Sequence, residues 1–192
     1  MRPKPTHLAP EFAGQFADPS VVAVYHLRPP YPPQVIDRLL SLRVNAGPVL
    51  DAGAGTGDIA RALAQHGVRV DALDPSAAML ARGRQLLGGD NPLLTWIQGT
   101  AETAPLQPPY TLIVTAASLH WMDWEIVLPR FREVLAPGGV LAIVEQRQTA
   151  QPWDSALIET ISRHSTNRFY QPFDLLQELE ARGLFQPLGQ VQ

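Results

Sequence analysis

Residues 49–58 read Val-Leu-Asp-Ala-Gly-Ala-Gly-Thr-Gly-Asp and lead into residues 59–65, which have the apolar spacing of a helix. The two apolar residues at the start predict a β-strand that ends at the acid Asp51. Glycines then occupy three alternate positions, where the missing Cβ lets the backbone adopt positive φ and lie directly against a ligand. In a parallel α/β sheet, a turn of this kind lies where nucleotide-like ligands bind. The stretch therefore predicts an α/β fold with a ligand site at residues 51–57.

The spacing of these glycines distinguishes between ligands. A dinucleotide-binding turn has the pattern G-x-G-x-x-G, and a phosphate-binding loop ends in Gly-Lys followed by Ser or Thr. Here Gly57 comes one residue too early for the first pattern, and no lysine follows, since the only lysine of the chain is Lys4. The carboxylate of Asp51 suits a ligand with an ammonium group better than one with a pyrophosphate, because opposite charges attract.

The rest of the chain alternates between apolar strand segments and helices of about ten residues. That alternation predicts βαβ units, and the near-continuous apolar strands predict a parallel sheet that is covered on both faces. We therefore predict an α/β fold of the Rossmann-like, doubly wound type, with a mostly parallel sheet in a three-layer αβα arrangement. The predicted strands are residues 48–51, 68–73, 93–98, 111–115 and 139–145, and the predicted helices between them are 58–66, 76–87 and 124–135.

Two proline positions interrupt this pattern. Pro129 lies inside the helix predicted at 124–135, so it should either kink that helix or mark its true start. Pro137 is followed by Gly138 and Gly139, which together predict a turn before the fifth strand.

At 192 residues the chain is long enough for one domain with a sizeable core. Residues 1–47 are expected to form an irregular arm, with a short turn at 11–16 that places aromatic residues on the body, and a cap helix at 31–43. Residues 48–146 are the predicted core. Residues 147–172, with a helix at 153–164, are expected to act as a lid. Residues 173–192 are expected to form a last helix that ends at residue 182, followed by the start of a sixth strand.

Composition argues against several classes of function. The formal net charge is −3 and the arginines are scattered, so no basic surface for nucleic acid is expected. No cysteine is present, which excludes disulfides and zinc–thiolate sites, and the histidines lack metal-ligand spacing, so no metal is expected. No apolar run approaches the ~20 residues of a membrane span. The N-terminal residues lack an apolar signal core, so we expect a cytoplasmic protein.

The D-x-G-x-G-x-G pattern of residues 51–57 resembles the first motif of the class I S-adenosylmethionine-dependent methyltransferases. Asp74 fits the acid that this family carries about 20 residues further on. Residues 99–102, Gly-Thr-Ala-Glu, resemble the family's Gly-Asp-Ala-Glu. Two more segments, 119–121 (Leu-His-Trp) and 25–32, resemble the small-molecule subgroup related to trans-aconitate methyltransferase and to early biotin-pathway carboxyl methyltransferases.

This resemblance implies S-adenosylmethionine as the cofactor. Asp51 and the glycine turn would hold its methionine end, and Asp74 would accept hydrogen bonds from both ribose hydroxyls. Met79 would place apolar atoms against the adenine, and Ala101 and Glu102 would flank the ring. The hydroxyl of Thr100 would stand where the family usually has an acid next to the adenine. The predicted cofactor-binding residues are Asp51, Ala52, Gly53, Gly55, Gly57, Asp74, Pro75, Met79, Thr100, Ala101, Glu102 and Thr115.

Three residues are predicted to face the substrate. His120 follows a strand end at the crevice, so it is either a substrate contact, a general base or a satisfied core histidine. Arg28 could pair with the carboxylate of the cofactor or with that of a substrate. Tyr25 lies in the segment that, in the same subgroup, folds over the cofactor. Either Tyr25 or Arg28 could instead be an ordinary surface residue.

The predicted function is methyl transfer from S-adenosylmethionine to a small molecule, for which a carboxylate is one candidate. Because the methyl donor is a sulfonium, the protein would contribute mainly alignment and exclusion of water. One alternative is a non-catalytic protein that binds S-adenosylmethionine or a partner, and a less favoured one is a nicotinamide-dependent oxidoreductase.

The family usually ends its sheet with an antiparallel hairpin of strands six and seven. Only the start of strand six can be identified in residues 184–192, so we expect an incomplete C-terminal hairpin. The fifth strand would then have an open edge. We expect either a monomer or a homodimer formed through this edge, with a small-molecule substrate as the other partner.

Overall fold

A five-stranded sheet lies at the centre of the molecule. The computed structural model describes residues 14–146, 151–164 and 175–191. The strands are β1 (Val49–Ala52), β2 (Val70–Asp74), β3 (Leu94–Gln98), β4 (Tyr110–Ala116) and β5 (Leu135–Val144). Their order across the sheet is β3-β2-β1-β4-β5, and each neighbouring pair is parallel. The predicted parallel sheet is confirmed.

Helices cover both faces of this sheet, as the apolar strands predict. They are α1 (Pro19–Tyr25), α2 (Pro33–Ser41), α3 (Asp58–Gln65), α4 (Ala77–Gln85), α5 (Trp124–Val134), α6 (Asp154–His164) and α7 (Leu175–Arg182). A short 3₁₀ turn, Gly14–Ala17, precedes α1, and another, Leu119–Trp121, lies between β4 and α5. No helix in the described ranges is long and apolar enough to cross a membrane.

The two faces of the sheet carry separate buried clusters. On one face, Val49 and Val70 pack with Ile59 and Leu63 of α3. On the other face, Leu50 packs among buried residues of α5 and the neighbouring strands, including Trp124, Val127, Leu128, Phe131, Ile113 and Tyr110. Because successive side chains of a strand point to opposite faces, Asp51 lies on the same face as Val49, towards α3.

The structure corrects the expectation for the fifth strand. Pro137, Gly138 and Gly139 lie inside β5, not in a turn before it. The pairing runs from Tyr110 opposite Leu135 to Leu112 opposite Val140, so the extra residues form an irregularity within the strand. The positive φ of Gly138 is 74°. A bulge accommodates a glycine in this conformation.

One of the two alternatives for Pro129 is excluded, and the expectation of an irregular arm is corrected. Pro129 does not mark the start of its helix, because α5 begins at Trp124, where the side chain of Asp123 accepts a hydrogen bond from the Glu125 N–H. The arm contains α1, which the sequence analysis missed. Its local signal is present: Asp18 caps the helix by accepting from the Ser20 N–H, and Pro19 occupies the first turn.

The C-terminal part of the chain matches the expectations only in part. Helices α6 and α7 lie where they were predicted. Residues 173 and 174, at the predicted start of the last helix, fall outside the described residues. Residues 1–13 of the arm and much of the predicted lid do so as well. The predicted start of a sixth strand is wrong, since residues 184–191 contain no strand. Among the described residues, β5 is the last strand on its side of the sheet.

Replacing Gly57 by alanine should destabilise the protein more than replacing Gly67. Both glycines have left-handed backbones, with φ of 76° and 77°. Alanine costs roughly 1–2 kcal/mol in this region. A Cβ at Gly57 would also overlap the Trp96 ring, whereas nothing lies within 4 Å of a Cβ at Gly67. Overpacking adds about 1–3 kcal/mol. Urea unfolding of both variants measures the difference, and equal losses of unfolding free energy would contradict the packing account.

Candidate functional site

An open cleft lies where β1 ends and the glycine turn begins. It encloses about 450 Å³ of empty space, part of which is open to solvent. Its walls come from the segment after α1, from the glycine turn, from the start of α3, and from the ends of β4 and β5. The lining residues are Tyr25, Arg28, Pro29, Tyr31, Asp51, Gly53, Ala54, Asp58, Ile59, Ala116 and Gln146.

The glycine turn follows β1 as the sequence predicts. Gly53, Gly55 and Gly57 have φ of 75°, 57° and 76°. These values lie in the left-handed region that glycine tolerates. The N–H groups of Gly53 and Ala54 both donate to the carbonyl of Leu73, at 2.8 and 2.9 Å, which holds the turn against β2.

The three glycines meet three different neighbours. A Cβ on Gly53 would overlap Ser118, and one on Gly57 would overlap the Trp96 ring. A Cβ on Gly55 would lie 3.6 Å from Cε1 of Tyr25, an ordinary contact distance. Close packing against other parts of the fold therefore accounts for Gly53 and Gly57, in addition to any ligand contact.

Asp51 lies at the floor of the cleft and is almost completely buried, with 1% of its surface exposed. Its Oδ2 atom accepts a hydrogen bond from the Ala60 N–H of α3, at 3.1 Å. Its Oδ1 atom is buried and has no hydrogen-bond partner among the described residues. Buried carboxylate oxygens are nearly always paired, so Oδ1 lacks a donor that a cationic ligand would supply.

Burial raises the pKa of the Asp51 carboxyl from 3.8 to about 7, because desolvation disfavours the ionised form. The hydrogen bond from Ala60 opposes this rise, and the negative charges of Asp74 and Asp58 add to it. The surroundings of Asp51 therefore favour either its protonated form or its ionised form with a cation bound to it.

Asp74 ends β2 beside the same turn. Its Oδ2 accepts from the Gly55 N–H and its Oδ1 from the Ser76 N–H, both at 2.8 Å. Burial raises its pKa, and these two hydrogen bonds oppose that rise. Each carboxylate oxygen keeps a second lone pair, so Asp74 retains the capacity to accept from hydroxyl groups.

Tyr25 and Arg28 form a pair on the wall of the cleft. Nη1 of Arg28 donates to the Tyr25 hydroxyl at 2.6 Å, and its guanidinium carbon lies 4.9 Å from the centre of the ring. Burial raises the pKa of Tyr25, while the charge of Arg28 opposes the rise. The predicted substrate-facing pair is therefore brought together in the cleft that Asp51 also lines.

His120 lies in the segment that follows β4. Its ring centre is 4.7 Å from that of Trp121, in the 3₁₀ turn Leu119–Trp121. Phe16 connects this turn to the cleft, with ring centres 6.0 Å from Trp121 and 6.3 Å from Tyr25. The aromatic contact that the sequence predicts for the arm is present at Phe16. His120 does not line the cleft itself.

The loop predicted to flank the adenine is held by α5. Arg130 donates through Nη1 to the carbonyl of Ala101, at 2.7 Å, and through Nη2 to the carbonyl of Ala104. Glu102 accepts from the Asp123 N–H at 2.8 Å. Thr100 is exposed, with its hydroxyl 3.2 Å from that of Thr103. Glu102 therefore has a structural contact in addition to its predicted role.

Four other predicted residues fall in different surroundings. The side chain of Met79, 1% exposed, and that of Thr115, with no exposed surface, are buried and do not reach the cleft. The Met79 contact with adenine and the Thr115 contact with the cofactor stay predictions from the resemblance. Ala52 is also buried, and its carbonyl accepts from Ser118. Pro75 is exposed.

The structure adds residues that the sequence analysis did not select. Tyr31 and Asp58 line the cleft, together with Ala116 and Gln146 at the ends of β4 and β5. Burial raises the pKa of Tyr31 to about 12, and the negative charge of Asp51 adds to the rise. Position at or after a strand end could have indicated Ala116 and Gln146, and Tyr31 lies in the segment 25–32 that resembles the small-molecule subgroup.

The known proteins that this chain resembles in sequence include several methyltransferases. Residues 49–139 match a family described as a methyltransferase domain. An uncharacterized methyltransferase of Mycobacterium tuberculosis is 38% identical over 147 residues, which cover 75% of this chain and 58% of the relative. A trans-aconitate 2-methyltransferase of Delftia acidovorans is 39% identical over 102 residues, covering 50% of this chain and 36% of the relative. A ubiquinone/menaquinone biosynthesis C-methyltransferase of Syntrophotalea carbinolica is 30% identical over 162 residues, covering 77% of this chain and 67% of the relative.

A solved structure agrees with these relatives. The structure of a putative type II methyltransferase from Anaeromyxobacter dehalogenans superimposes with a TM-score of 0.61 at 27% sequence identity. The match covers 86% of this chain and 69% of that one. The chain spans less than two thirds of the mycobacterial relative, of which it covers 58%.

Replacing Asp51 by asparagine should stabilise the ligand-free protein at pH 8. The folded pKa of about 7 lies above the ordinary value of 3.8, so the folded state loses stability as pH rises between these values. Asparagine keeps an acceptor for the Ala60 N–H and removes the buried charge. We expect a Tm at least about 3 °C above wild type at pH 8 and no gain near pH 4. Thermal unfolding at both pH values measures this, with the exposed acid Asp37→Asn as the control. A lower Tm for the Asp51 variant at pH 8 would contradict the raised pKa.

Proposed function

The chain belongs to the S-adenosylmethionine-dependent methyltransferase family, and from this we propose that it transfers the methyl group of S-adenosylmethionine to a small-molecule carboxylate. One observation carries the proposal: Oδ1 of Asp51 is buried at the floor of the cleft without a hydrogen-bond donor among the described residues. An ammonium group supplies that donor together with a compensating positive charge. The methionine part of the cofactor has such a group.

The residues around the turn fit the rest of the cofactor. Asp74 would hold the ribose, because both its oxygens keep a free lone pair beside the turn. Gly55, which has no side chain at the middle of the turn, would allow the backbone close to the ligand. Ala101 and Glu102 would flank the adenine in the loop that Arg130 holds. When bound, the cofactor supplies a methyl group on a sulfonium, which needs no acid to activate its leaving group.

The negative charge near the turn matches a positively charged donor. Asp51, Asp58 and Asp74 lie at or beside the cleft, and the charge of Asp58 is partly compensated by its ion pair with Arg61. The sulfonium and the ammonium of the donor bring two positive charges and its carboxylate one negative charge, so the donor is positively charged overall. The electrostatics therefore favour the donor over an anionic dinucleotide.

Arg28 supports a carboxylate acceptor. Its guanidinium lines the cleft and is oriented by the Tyr25 hydroxyl. A planar guanidinium matches a carboxylate in two parallel hydrogen bonds. The relative from Delftia acidovorans is named for a carboxylate substrate, trans-aconitate. A carboxylate is already ionised at neutral pH, so the protein has to align it and exclude water without removing a proton.

His120 and its aromatic neighbours would form the far wall of the acceptor site. The row from Tyr25 through Phe16 to Trp121 provides ring surfaces on which the apolar part of an acceptor can pack. For a carboxylate, His120 would act as a contact, and for an acceptor that must lose a proton it would act as a base. Cytoplasmic location, the absence of nucleic-acid binding and the oligomeric state stay predictions from the sequence.

Replacing Arg28 by methionine should reduce methylation of carboxylates. With labelled S-adenosylmethionine and a panel of di- and tricarboxylic acids, we expect methyl esters from the wild type. The Arg28→Met variant should lose more than about tenfold in kcat/KM for the acceptor, because a bidentate charged pair is lost. The KM for S-adenosylmethionine should stay within about twofold of the wild-type value.

Arg38→Met, at an exposed position of α2, is the matched control and should behave as the wild type. If the Arg28 variant raises the KM for S-adenosylmethionine and leaves kcat/KM for the acceptor unchanged, Arg28 binds the cofactor carboxylate. That result would contradict its role towards the acceptor. Transfer of the methyl group to nitrogen alone would rule out the carboxylate.

A further inference from the structure

Ser118 connects the glycine turn to the segment that follows β4. Its hydroxyl donates to the carbonyl of Ala52, the last residue of β1, at 2.6 Å. The residue is buried, with 7% of its surface exposed. A short hydrogen bond of this kind, shielded from water, fixes the end of one strand relative to the end of its neighbour.

Packing at Gly53 reinforces this connection. A Cβ on Gly53 would overlap both Cβ and Oγ of Ser118, so no side-chain atom fits between the backbone of the turn and Ser118. Gly53 also lines the cleft beside Asp51. A shift of Ser118 would therefore move the backbone that borders the proposed donor site.

The backbone on the other side of Ser118 is held in an unusual conformation. Ala117 has φ of 49°. This value lies in the left-handed region that residues with a Cβ rarely adopt. The Ala117 N–H donates to the carbonyl of Val144 in β5, at 2.9 Å. Such a conformation persists only where the surroundings impose it, and it sets the direction in which the chain leaves β4.

Ser118 also begins the turn that carries His120. Its carbonyl accepts from the Trp121 N–H at 2.9 Å, which closes the 3₁₀ turn Leu119–Trp121. One residue thus contacts the proposed donor site through its side chain and the proposed acceptor wall through its main chain.

We propose that Ser118 is a positioning residue that transmits donor binding at Gly53 to His120 and Trp121. The inference rests on the proposed function, since it takes the cleft as the donor site. Ser118 contacts neither substrate: it holds the turn and the acceptor wall in one fixed relation, so that a donor bound at the turn changes the surroundings of the His120 ring.

The test follows the imidazole signals of His120 by ¹H–¹³C NMR on the full chain, assigned with His120→Ala, while S-adenosylhomocysteine is added. In the wild type, saturation with S-adenosylhomocysteine should shift the His120 signals. In Ser118→Ala, we expect a Kd about tenfold higher, because the Ala52 carbonyl loses its partner. At saturation of this variant, the shift at His120 should fall by more than half.

Ser41→Ala is the matched control, because the Ser41 hydroxyl also donates to a backbone carbonyl, that of Arg38 at 2.7 Å, but at an exposed position. It should behave as the wild type. If the alanine variant does not fold, Ser118→Cys replaces it, because a thiol is similar in size to the hydroxyl but a weaker hydrogen-bond donor. The same loss of the His120 shift is then expected.

A full His120 shift in the Ser118 variants would overturn the proposal, whether or not their affinity falls, because a purely structural role would leave the shift intact. This result differs from failure of the proposed function. In that case the wild type itself would not bind S-adenosylhomocysteine, and the inference would fall with it.

Discussion

The glycine turn after β1 packs directly against two distant parts of the chain, and the candidate site depends on that packing. Gly53 meets Ser118 beyond β4, and Gly57 meets Trp96 of β3. Neither approach leaves room for a side chain at Gly53 or Gly57, whereas a Cβ on Gly55 would only come into ordinary contact with Tyr25 of α1. Because the turn is held on two sides by the fold itself, its shape does not depend on a ligand. Preformed sites of this kind spend less binding energy on ordering the protein.

Electrostatics gives the cleft its chemical preference. The fold buries the Asp51 carboxylate, satisfies one of its oxygens through α3, and leaves the other without a donor among the described residues. An isolated buried charge is unfavourable, so a cation that completes the pair is favoured. The carboxylates of Asp58 and Asp74 act in the same direction, whereas Arg28, which also lines the cleft, favours an anionic group. On the proposed function, one cleft would thus combine a place for a positively charged donor with a place for a negatively charged acceptor.

The parallel sheet and the glycine turn after β1 were well predicted from the sequence, because both depend on local patterns. Apolar runs and the glycines at 53, 55 and 57 determine strands, turn and helix without reference to the rest of the chain. Contacts between distant segments were harder to foresee. The side chains of Met79 and Thr115 are buried and are not among the residues that line the cleft, so their predicted cofactor contacts stay predictions. Nothing in the local sequence indicated that Trp96 or Ser118 would contact the turn, since only the sheet order brings them there.

The most direct test of the donor site is the number of protons released when S-adenosylhomocysteine binds near pH 6.5. Calorimetric titrations in two buffers of different ionisation enthalpy measure it. With a pKa of about 7, Asp51 is largely protonated in the ligand-free protein at that pH, and it must ionise to pair with the ammonium group. We predict binding with net release of a proton in the wild type, and loss of that release together with weaker binding in Asp51→Asn. Binding without proton release, or equal affinity of the two proteins, would contradict the role of Asp51 as the partner of a cationic donor.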